Sequence, residues 1–285
     1  MDARQKMRGL LAQPGIIVTV AVADAGLAKL VEAAGFPAVY MSGSLVSMSY
    51  GMADAGLLTR TEMVDRARSI ANAIDVPLLT DADDGYGPPL QIMRTVREFE
   101  NAGVAAIQLE DMGVKKRGVL PIPDMAKRIE AAVAARRDPN LVIIARTDAL
   151  QPNTRAETRT ANEDDALRRS LAYAAAGADV IMVNHIPSAE SLRRFCEEVP
   201  KPIKITVGRH GFNESAEVLD EIGVKLVVFT MLLHKQMLMA AARTLAEVRA
   251  TGYKAHSKEE DEEDEKYRVL LGQDKFKAIQ DRYET

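Results

Sequence analysis

The sequence predicts an α/β fold of the (β/α)8 TIM-type barrel class with a C-terminal helical extension. Short apolar runs rich in β-branched residues alternate with amphipathic helical stretches along the chain, which is the pattern of parallel βαβ units. An Ala-Gly pair closes three helices directly before the next apolar run, at Ala34-Gly35, Ala102-Gly103 and Ala176-Gly177. A doubly wound open sheet is the alternative, but the unit count matches a barrel and no glycine-rich dinucleotide fingerprint is present.

Eight apolar runs are the predicted strands, and helical patterns fill the intervals between them. The predicted strands are residues 16–22, 38–41, 76–79, 105–109, 141–145, 180–183, 203–207 and 226–229. The predicted helices are residues 1–13, 24–34, 60–74, 90–102, 123–136, 162–176, 189–199, 214–222 and 232–250. Ser257 followed by the acidic residues 259–265 predicts the start of a terminal helix. We expect residues 1–250 to form the barrel domain and residues 251–285 to form the extension.

Composition narrows the class of protein. The chain has 285 residues, of which 47% are hydrophobic and 27% are charged, as in soluble globular proteins. The net charge of −4 argues against a nucleic-acid partner. Cys196 is the only cysteine, which excludes an internal disulfide and a cysteine-rich zinc site and fits a reducing compartment. No signal-peptide pattern and no 18-residue apolar stretch are present, so we expect a cytoplasmic protein without a membrane partner.

An acidic sequence follows the third predicted strand. Residues 78–87 read Leu-Leu-Thr-Asp-Ala-Asp-Asp-Gly-Tyr-Gly, so an apolar run ends in three carboxylates and two glycines. Unpaired buried carboxylates are costly, and a divalent cation would remove that cost. On an extended strand, Asp81 and Asp83 would point to the same side, where their oxygens would suit Mg²⁺ or Mn²⁺. The alternative is that these acids cap the helix near Leu90.

Polar residues stand at the carboxyl ends of the other predicted strands as well. They are Ser42, Asp81, Asp83, Glu110, Arg146, Asn184, Thr206 and Arg209. In a barrel these strand ends gather at one mouth, where active sites form. Acids from two neighbouring strands and a cation from a third predict a metal site that faces an anion site. The glycine-flanked residues 208–211 could meet a phosphonate there, but simple turn formation is the preferred explanation of this segment.

Several motifs together resemble those of the isocitrate lyase/phosphoenolpyruvate mutase superfamily over nearly the whole chain. They are Tyr40-Met41-Ser42-Gly43-Ser44, Asp54 in Met52-Ala53-Asp54-Ala55-Gly56, Asp81-Ala82-Asp83 with Gly85-Tyr86-Gly87, Leu109-Glu110-Asp111, and Ile144-Ala145-Arg146-Thr147-Asp148-Ala149. The resemblance implies a (β/α)8 barrel that binds Mg²⁺ or Mn²⁺. It also implies cleavage or rearrangement of C–C or C–P bonds in small α-oxo or α-hydroxy acids through an enolate-like intermediate.

The resemblance also implies roles for individual residues. Asp81, Asp83 and Glu110 correspond to the metal shell, partly through waters, and Asp54 to its outer support. The substrate would be held by Ser42, Gly43, Ser44, Arg146, Asn184 and Thr206, with Arg146 clamping a substrate oxygen. The position of Asn184 varies among relatives, so its role stays open. Relatives form tetramers that exchange their last helices, so we expect a homotetramer in which residues 251–285 pack on a neighbouring subunit.

The lid loop after the fourth strand departs from the family pattern. Lyases of the family carry Lys-Lys/Arg-Cys-Gly-His there, whereas this chain reads Lys115-Lys116-Arg117-Gly118. The Lys-x-Asn-Ser lid of phosphoenolpyruvate mutases is missing too, and Cys196 lies within a predicted helix. Lys116 could neutralise charge or move a proton, and Tyr40 or Lys116 is the candidate base that an aldol-type cleavage would need for the substrate hydroxyl. A solvated loop without a catalytic role is the alternative for Lys116.

The expected function is Mg²⁺- or Mn²⁺-dependent cleavage of a C–C bond in a small α-oxo or α-hydroxy carboxylate. Oxaloacetate-type decarboxylation is the preferred reaction, because that branch of the family does without the lid cysteine. A 2-methylisocitrate or dimethylmalate lyase is the nearest variant. C–P chemistry of the phosphonopyruvate hydrolase or phosphoenolpyruvate mutase type is an alternative, and a non-catalytic binder of metal and carboxylate is a second.

Overall fold

Eight parallel strands pair in chain order and close into a barrel in the computed structural model of this chain. The structure describes residues 1–112, 118–150, 163–208, 212, 214–255 and 257–284. The barrel closes where residues 17–20 of the first strand pair with residues 226–229 of the last strand. The predicted (β/α)8 class is therefore confirmed, and the open-sheet alternative is excluded.

The strands are short and almost entirely buried, as expected for a sheet covered by helices on its outer face. They are β1 (Ile17–Val22), β2 (Val39–Met41), β3 (Leu78–Asp81), β4 (Ala106–Glu110), β5 (Val142–Thr147), β6 (Val180–Val183), β7 (Ile203–Val207) and β8 (Leu226–Phe229). The bounds of β6, β7 and β8 are those that the sequence predicts. The largest difference is at β3, which begins two residues later than predicted and ends two residues later, at Asp81.

Helices follow each strand and pack around the barrel. They are α1 (Ala3–Ala12), α2 (Ala25–Ala33), α3 (Gly43–Ser49), α4 (Arg60–Ala71), α5 (Pro89–Asn101), α6 (Ile122–Ala135), α7 (Glu163–Ala175), α8 (Ala189–Glu198), α9 (Ala216–Ile222), α10 (Leu232–Thr251), α11 (Lys258–Leu270) and α12 (Gln273–Tyr283). The three Ala-Gly pairs end α2, α5 and α7, and each glycine has a positive φ. The sequence predicts a turn at Ser42-Gly43-Ser44, whereas the structure has the N-cap and first turn of helix α3 there.

Helix α1 covers the end of the barrel opposite the candidate site. Its buried Met7 joins the core, and its arginines contact the loops that precede the strands. Arg4 Nε donates to the carbonyl oxygen of Val104 at 3.1 Å, and Arg8 Nη1 donates to Asp179 Oδ1 at 2.8 Å. Helix α1 therefore packs against the amino ends of the strands, and the carboxyl ends form the opposite mouth of the barrel.

The C-terminal helices extend beyond the barrel. Helix α10 has no buried residue, although it follows β8 directly. Helix α11 begins at Ser257, whose side chain forms a capping box with Glu260, as the sequence predicts. The hydroxyl of Tyr267 on α11 lies so close to Gly26 of α2 that a side chain at Gly26 would clash with it. Within the described ranges, no helix is both long and apolar enough to span a membrane.

Candidate active site

Side chains from β2, β3, β4, β5 and β7 converge inside the barrel at its open end. The contacts among them involve Tyr40, Asp81, Glu110, Arg146 and Lys204, which come from these five strands in that order. Parallel strands of a barrel present their carboxyl ends at one mouth, so residues far apart in sequence become neighbours. The mouth therefore brings together Asp81, Glu110 and Arg146, three of the residues that the sequence singled out at its strand ends.

Asp83 lies outside β3, contrary to the extended-strand argument. The strand ends at Asp81, and Asp83 has a φ of +46°, in the left-handed region. The backbone N–H of Glu110 donates to the carbonyl oxygen of Asp83 at 2.8 Å, which ties this turn to β4. The helix-cap alternative is also wrong, since Pro88 is the N-cap of α5 and α5 has no side-chain cap.

The carboxylates of Asp81 and Asp83 face the same residue, Gly43. A Cβ atom built on Gly43 would lie 3.4 Å from Asp81 Oδ2 and 3.6 Å from Asp83 Oδ1. Gly43 also donates its backbone N–H to Asp81. The Ser42-Gly43-Ser44 segment is the start of α3 rather than a turn, and Ser42 is an N-cap whose side chain makes no capping bond. The glycine therefore presents no side chain to either acid.

The two acids lie in surroundings that disfavour their charged forms. Burial, the neighbouring Asp81 and the nearby Asp54 raise the pKa of Asp83 to about 7. Burial likewise raises the pKa of Asp81, against the opposing effect of Arg146. Asp54 is itself exposed, and its negative charge acts on both carboxylates. The cluster carries more negative charge than its protein partners balance.

Arg146 joins two strand ends through ion pairs. Its Nη1 lies 3.1 Å from Glu110 Oε2, and its Nη2 donates to Asp148 Oδ1 at 2.8 Å. Asn184 donates from Nδ2 to the same Asp148 oxygen at 2.7 Å. Burial raises the pKa of Glu110, while the guanidinium opposes this shift. Asp148, which belongs to a motif of the sequence analysis but received no role there, therefore orients both Arg146 and Asn184.

Tyr40 and Lys204 lie below the carboxylates. Lys204 is fully buried, and its Nζ lies 4.5 Å from the centroid of the Tyr40 ring. Burial and the Asp81 carboxylate raise the pKa of Tyr40 well above its usual value, so its hydroxyl keeps its proton at neutral pH. Burial lowers the pKa of Lys204 to about 7. A protonated hydroxyl suits Tyr40 as a proton donor better than as a base.

Sequence reasoning missed Lys204 and Gln108. Both are single polar residues within otherwise apolar strand runs, Ile-Lys-Ile-Thr-Val and Ala-Ile-Gln-Leu-Glu. Each stands two residues before a strand-end residue, Thr206 or Glu110, and so faces the same side of its strand. This two-residue spacing from a strand-end residue could have indicated that both side chains face the interior of the barrel.

The remaining predicted residues fall into two groups. Ser44 is half-buried on α3, and Thr206 is half-buried on β7 in register with Val228. Lys116 lies outside the described residues, as do its neighbours in the lid loop and the Arg209-His210 pair.

The site fits a divalent ion whose shell is completed by water. In the described part of the chain, no three Asp, Glu, His or Cys side chains form a ready set of metal ligands. Glu110 is paired with Arg146, whereas Asp81 and Asp83 lie side by side next to Gly43, which has no side chain. Mg²⁺ keeps several waters and binds through one or two carboxylates plus substrate oxygens. The donor set therefore suits a divalent ion, which Asp81 and Asp83 would hold.

A cavity of about 540 Å³ opens beside Asp83 and is lined by residues of the loops after β2 and β3. Leu58, Tyr86 and Gln91 supply part of its wall, and Arg60 reaches it from α4. Its size would admit a small organic acid next to Asp83.

Comparison with known proteins reveals relatives over most of the chain. A 2,3-dimethylmalate lyase of Eubacterium barkeri is 40% identical over 240 residues, which are 80% of this chain and 80% of the relative. An oxaloacetate decarboxylase of Pseudomonas fluorescens is 36% identical over 233 residues, 79% of this chain and 77% of the relative. A solved phosphonopyruvate hydrolase in complex with oxalate and Mg²⁺ superimposes with a TM-score of 0.88 and 26% identity, covering 100% of both chains.

The family model described as phosphoenolpyruvate phosphomutase matches residues 7–249, which include the whole barrel. The identities to the two lyase-type relatives and the closed eight-stranded barrel agree with this match. The chain belongs to the phosphoenolpyruvate phosphomutase family and, with its relatives, to the isocitrate lyase/phosphoenolpyruvate mutase superfamily.

Proposed function

We propose that this protein is a divalent-metal-dependent lyase that cleaves a C–C bond in a small α-oxo or α-hydroxy carboxylate, with oxaloacetate-type decarboxylation as the preferred reaction. The observation that carries this proposal is the arrangement of Asp81 and Asp83 beside Gly43, close to the Arg146 fork. Relatives named for cleavage of dimethylmalate and decarboxylation of oxaloacetate support the reaction class.

Asp81 and Asp83 would hold the ion, with Glu110 acting through water and Asp54 as outer support. Mg²⁺ is the proposed ion, with Mn²⁺ as the alternative, and the oxalate–Mg²⁺ complex of the phosphonopyruvate hydrolase supports this choice. A bound divalent ion would supply positive charge where electrons accumulate as the substrate bond breaks. The high charge density of the acidic cluster favours this arrangement, because an ion would balance charges that the protein leaves unbalanced.

The substrate carboxylate would lie against the start of α3. Gly43 has no side chain there, and the backbone N–H groups of the first turn of α3 would donate to the carboxylate. Ser42 and Ser44 flank the glycine and would add hydroxyl donors. Arg146 would bind a further substrate oxygen as a rigid fork, because Asp148 holds its Nη2 in place. Asn184 and Thr206 would contact the same end of the substrate from β6 and β7.

Proton transfer would fall to Tyr40 and Lys116. Tyr40 keeps its hydroxyl proton at neutral pH and so would act as an acid toward the carbanion that bond cleavage leaves. Lys116, in the lid loop, would neutralise negative charge or deliver a proton. Decarboxylation needs no base for a substrate hydroxyl, whereas aldol-type cleavage does, and the lid lacks the cysteine of the family lyases. For these reasons, decarboxylation remains the preferred reaction.

We also propose that the protein works as a cytoplasmic homotetramer in which residues 251–285 pack on a neighbouring subunit. Exposed apolar side chains on the C-terminal helices support this assembly, and they include Met237, Leu238, Leu245, Phe276 and Ile279. The contact of α11 with α2 within one chain would then coexist with contacts to a neighbour. Sedimentation equilibrium of the full chain and of a chain ending at residue 250 tests the proposal, since only the full chain should form a tetramer.

A substrate panel followed by NMR tests the proposed function. The purified protein is incubated with oxaloacetate, 2-methylisocitrate, 2,3-dimethylmalate or phosphonopyruvate, with Mg²⁺ or with a chelator. Pyruvate and CO₂ from oxaloacetate, only when Mg²⁺ is present, is the expected result. A pair of carboxylic acids would indicate lyase activity, and phosphate release would indicate C–P chemistry. No turnover of any compound would favour a non-catalytic binder.

The substitution Asp83→Asn should remove the metal-dependent turnover in this assay. Asp65→Asn is the matched control, because Asp65 is an exposed acid on α4 with the same chemistry and no place in the site. Equal turnover by the wild type and the Asp83 variant would refute the assignment of Asp83 to the metal.

A further inference from the structure

Lys204 has no solvent exposure and lies inside the barrel among side chains from three other strands. Its Nζ lies 2.6 Å from Gln108 Oε1 on β4 and 3.1 Å from Met182 Sδ on β6. The Tyr40 ring of β2 lies above it, at 4.5 Å from the ring centroid. Lysine is almost never fully buried unless it is paired, and the chemistry proposed above does not use this amine. Its position therefore calls for another role.

Gln108 connects Lys204 to the acidic cluster. Lys204 donates to Oε1 of the Gln108 amide, so the Nε2 end faces the other way and donates to Asp81 Oδ1 at 3.4 Å. The two ends of an amide have nearly the same shape, so hydrogen-bond partners decide its orientation. A flipped amide would place its oxygen against the Asp81 carboxylate, and two acceptors would then face each other. The lysine donor excludes that orientation.

We propose that Lys204 is a positioning residue that acts through Gln108 to hold the Asp81 carboxylate in place for a divalent ion. This inference rests on the proposed function, because it takes Asp81 as a metal ligand. Carboxylate ligands depend on outer hydrogen-bond partners, and loss of such a partner typically weakens metal binding about 10- to 100-fold. The chain from Lys204 through Gln108 to Asp81 is such a support, built from β7, β4 and β3.

Two other roles for Lys204 predict different results. A charge that acted only through space would repel a divalent ion, so its removal would tighten metal binding. An amine that attacked a keto carbon would need access to the substrate, but Lys204 is covered by Tyr40 and is 0% exposed. The hydrogen-bonded link to Asp81 distinguishes the positioning role from both.

Mn²⁺ binding, measured from the electron paramagnetic resonance signal of the free ion, tests the inference without relying on turnover. The proteins are the wild type, Lys204→Met, Gln108→Leu and the double variant. Each single substitution should raise the Kd for Mn²⁺ about tenfold, and the double variant should bind no more weakly than either single variant. Met182→Leu is the matched control, because Met182 contacts Lys204 Nζ but does not lie on the path to Asp81. Its Kd should equal that of the wild type.

Each other outcome has a distinct meaning. An unchanged or lower Kd for Lys204→Met would overturn the inference and leave the proposed function standing. A loss that persists undiminished in the Gln108→Leu background would also overturn it, because the lysine would then not act through the amide. Absence of Mn²⁺ binding by the wild type would overturn the metal assignment as well. If Lys204→Met does not fold, the Kd of Gln108→Leu for Mn²⁺ tests the hydrogen-bonded link, with Met182→Leu as the control. A Kd equal to that of the wild type would overturn the inference.

Discussion

Gly43 lies directly against Asp81: its backbone N–H donates to the carboxylate, and a Cβ atom in its place would lie 3.4 Å from Oδ2. The start of α3 and the end of β3 therefore lie side by side, and a Cβ atom at Gly43 would be in van der Waals contact with both acids. This is where the proposed ion and the substrate carboxylate would meet.

The Gly43→Ala variant should fold normally but have lower catalytic activity. The new methyl group would make ordinary contact with Asp81, and alanine is the better helix former by about 0.5–1 kcal/mol. It would nevertheless occupy space beside both acids, so we expect at least a tenfold loss of kcat/KM and unchanged or higher Tm. Gly9→Ala on α1 is the matched control, since no atom lies within 4 Å of its added Cβ. Full activity in Gly43→Ala would contradict the placement of substrate there.

Asp83→Asn should stabilise the metal-free protein, and more so at higher pH. The pKa of Asp83 rises from 3.8 to about 7 on folding, so between these pH values the folded chain holds a proton that the unfolded chain releases. The contribution of Asp83 to the free energy of unfolding of the wild type is fully present below pH 3.8. It is lost as the pH rises to about 7. Urea unfolding at pH 5 and pH 8, with a chelator present, should show a larger advantage for the variant at pH 8. The opposite order would contradict the assigned direction.

Metal addition should raise the Tm of the wild type more at pH 8 than at pH 5.5. Protons and a divalent ion compete for Asp83 and Asp81, whose pKa values are raised by burial, so binding is weaker where the acids are protonated. Differential scanning fluorimetry with and without Mg²⁺ measures the shift. Asp83→Asn should show a smaller shift at both pH values, and an equal shift would exclude Asp83 as a ligand.

Arg146→Met should destabilise the protein, whereas Arg146→Lys should mainly reduce activity. Methionine leaves Glu110 and Asp148 without their cation, which we expect to cost about 2–3 kcal/mol because the arginine side chain is 19% exposed rather than fully buried. Lysine keeps the charge but cannot form the two-ended fork, so KM should rise at least tenfold. Urea unfolding and steady-state kinetics separate the two effects. Arg68→Met on the exposed face of α4 is the control and should change neither.

Lys116→Ala tests the lid loop. If Lys116 neutralises charge or moves a proton, kcat should fall at least tenfold, in the range that general acid–base groups contribute. Lys115→Ala is the matched control, because it removes the same charge from the adjacent position. Equal activity in both variants and the wild type would leave the loop without a catalytic role.

The barrel could be predicted from local patterns. The runs at residues 180–183, 203–207 and 226–229 match β6, β7 and β8, and the glycines after α2, α5 and α7 have the positive φ values of helix ends. The Ser257 cap of α11 was equally local. These features depend on neighbours within a few residues, so the sequence alone contains the information.

Most of the predicted site residues do lie at the mouth, but their geometry could not be read from spacing. The left-handed backbone of Asp83 depends on its bond to Glu110 of β4, so the alternation argument failed there. The helical start at Gly43 was missed because small residues favour turns and helix ends alike.

The order of strands and helices, the acids at the end of the third strand and the arginine near the end of the fifth were determined by the sequence. Only the tertiary structure decided that Asp148 orients Arg146, and that Lys204 of β7 meets Gln108 of β4, 96 residues earlier. Closure of the barrel brings these strands together across its interior. Contacts of that kind depend on the summed packing of all eight strands, whereas a cap or a strand run depends only on the residues beside it.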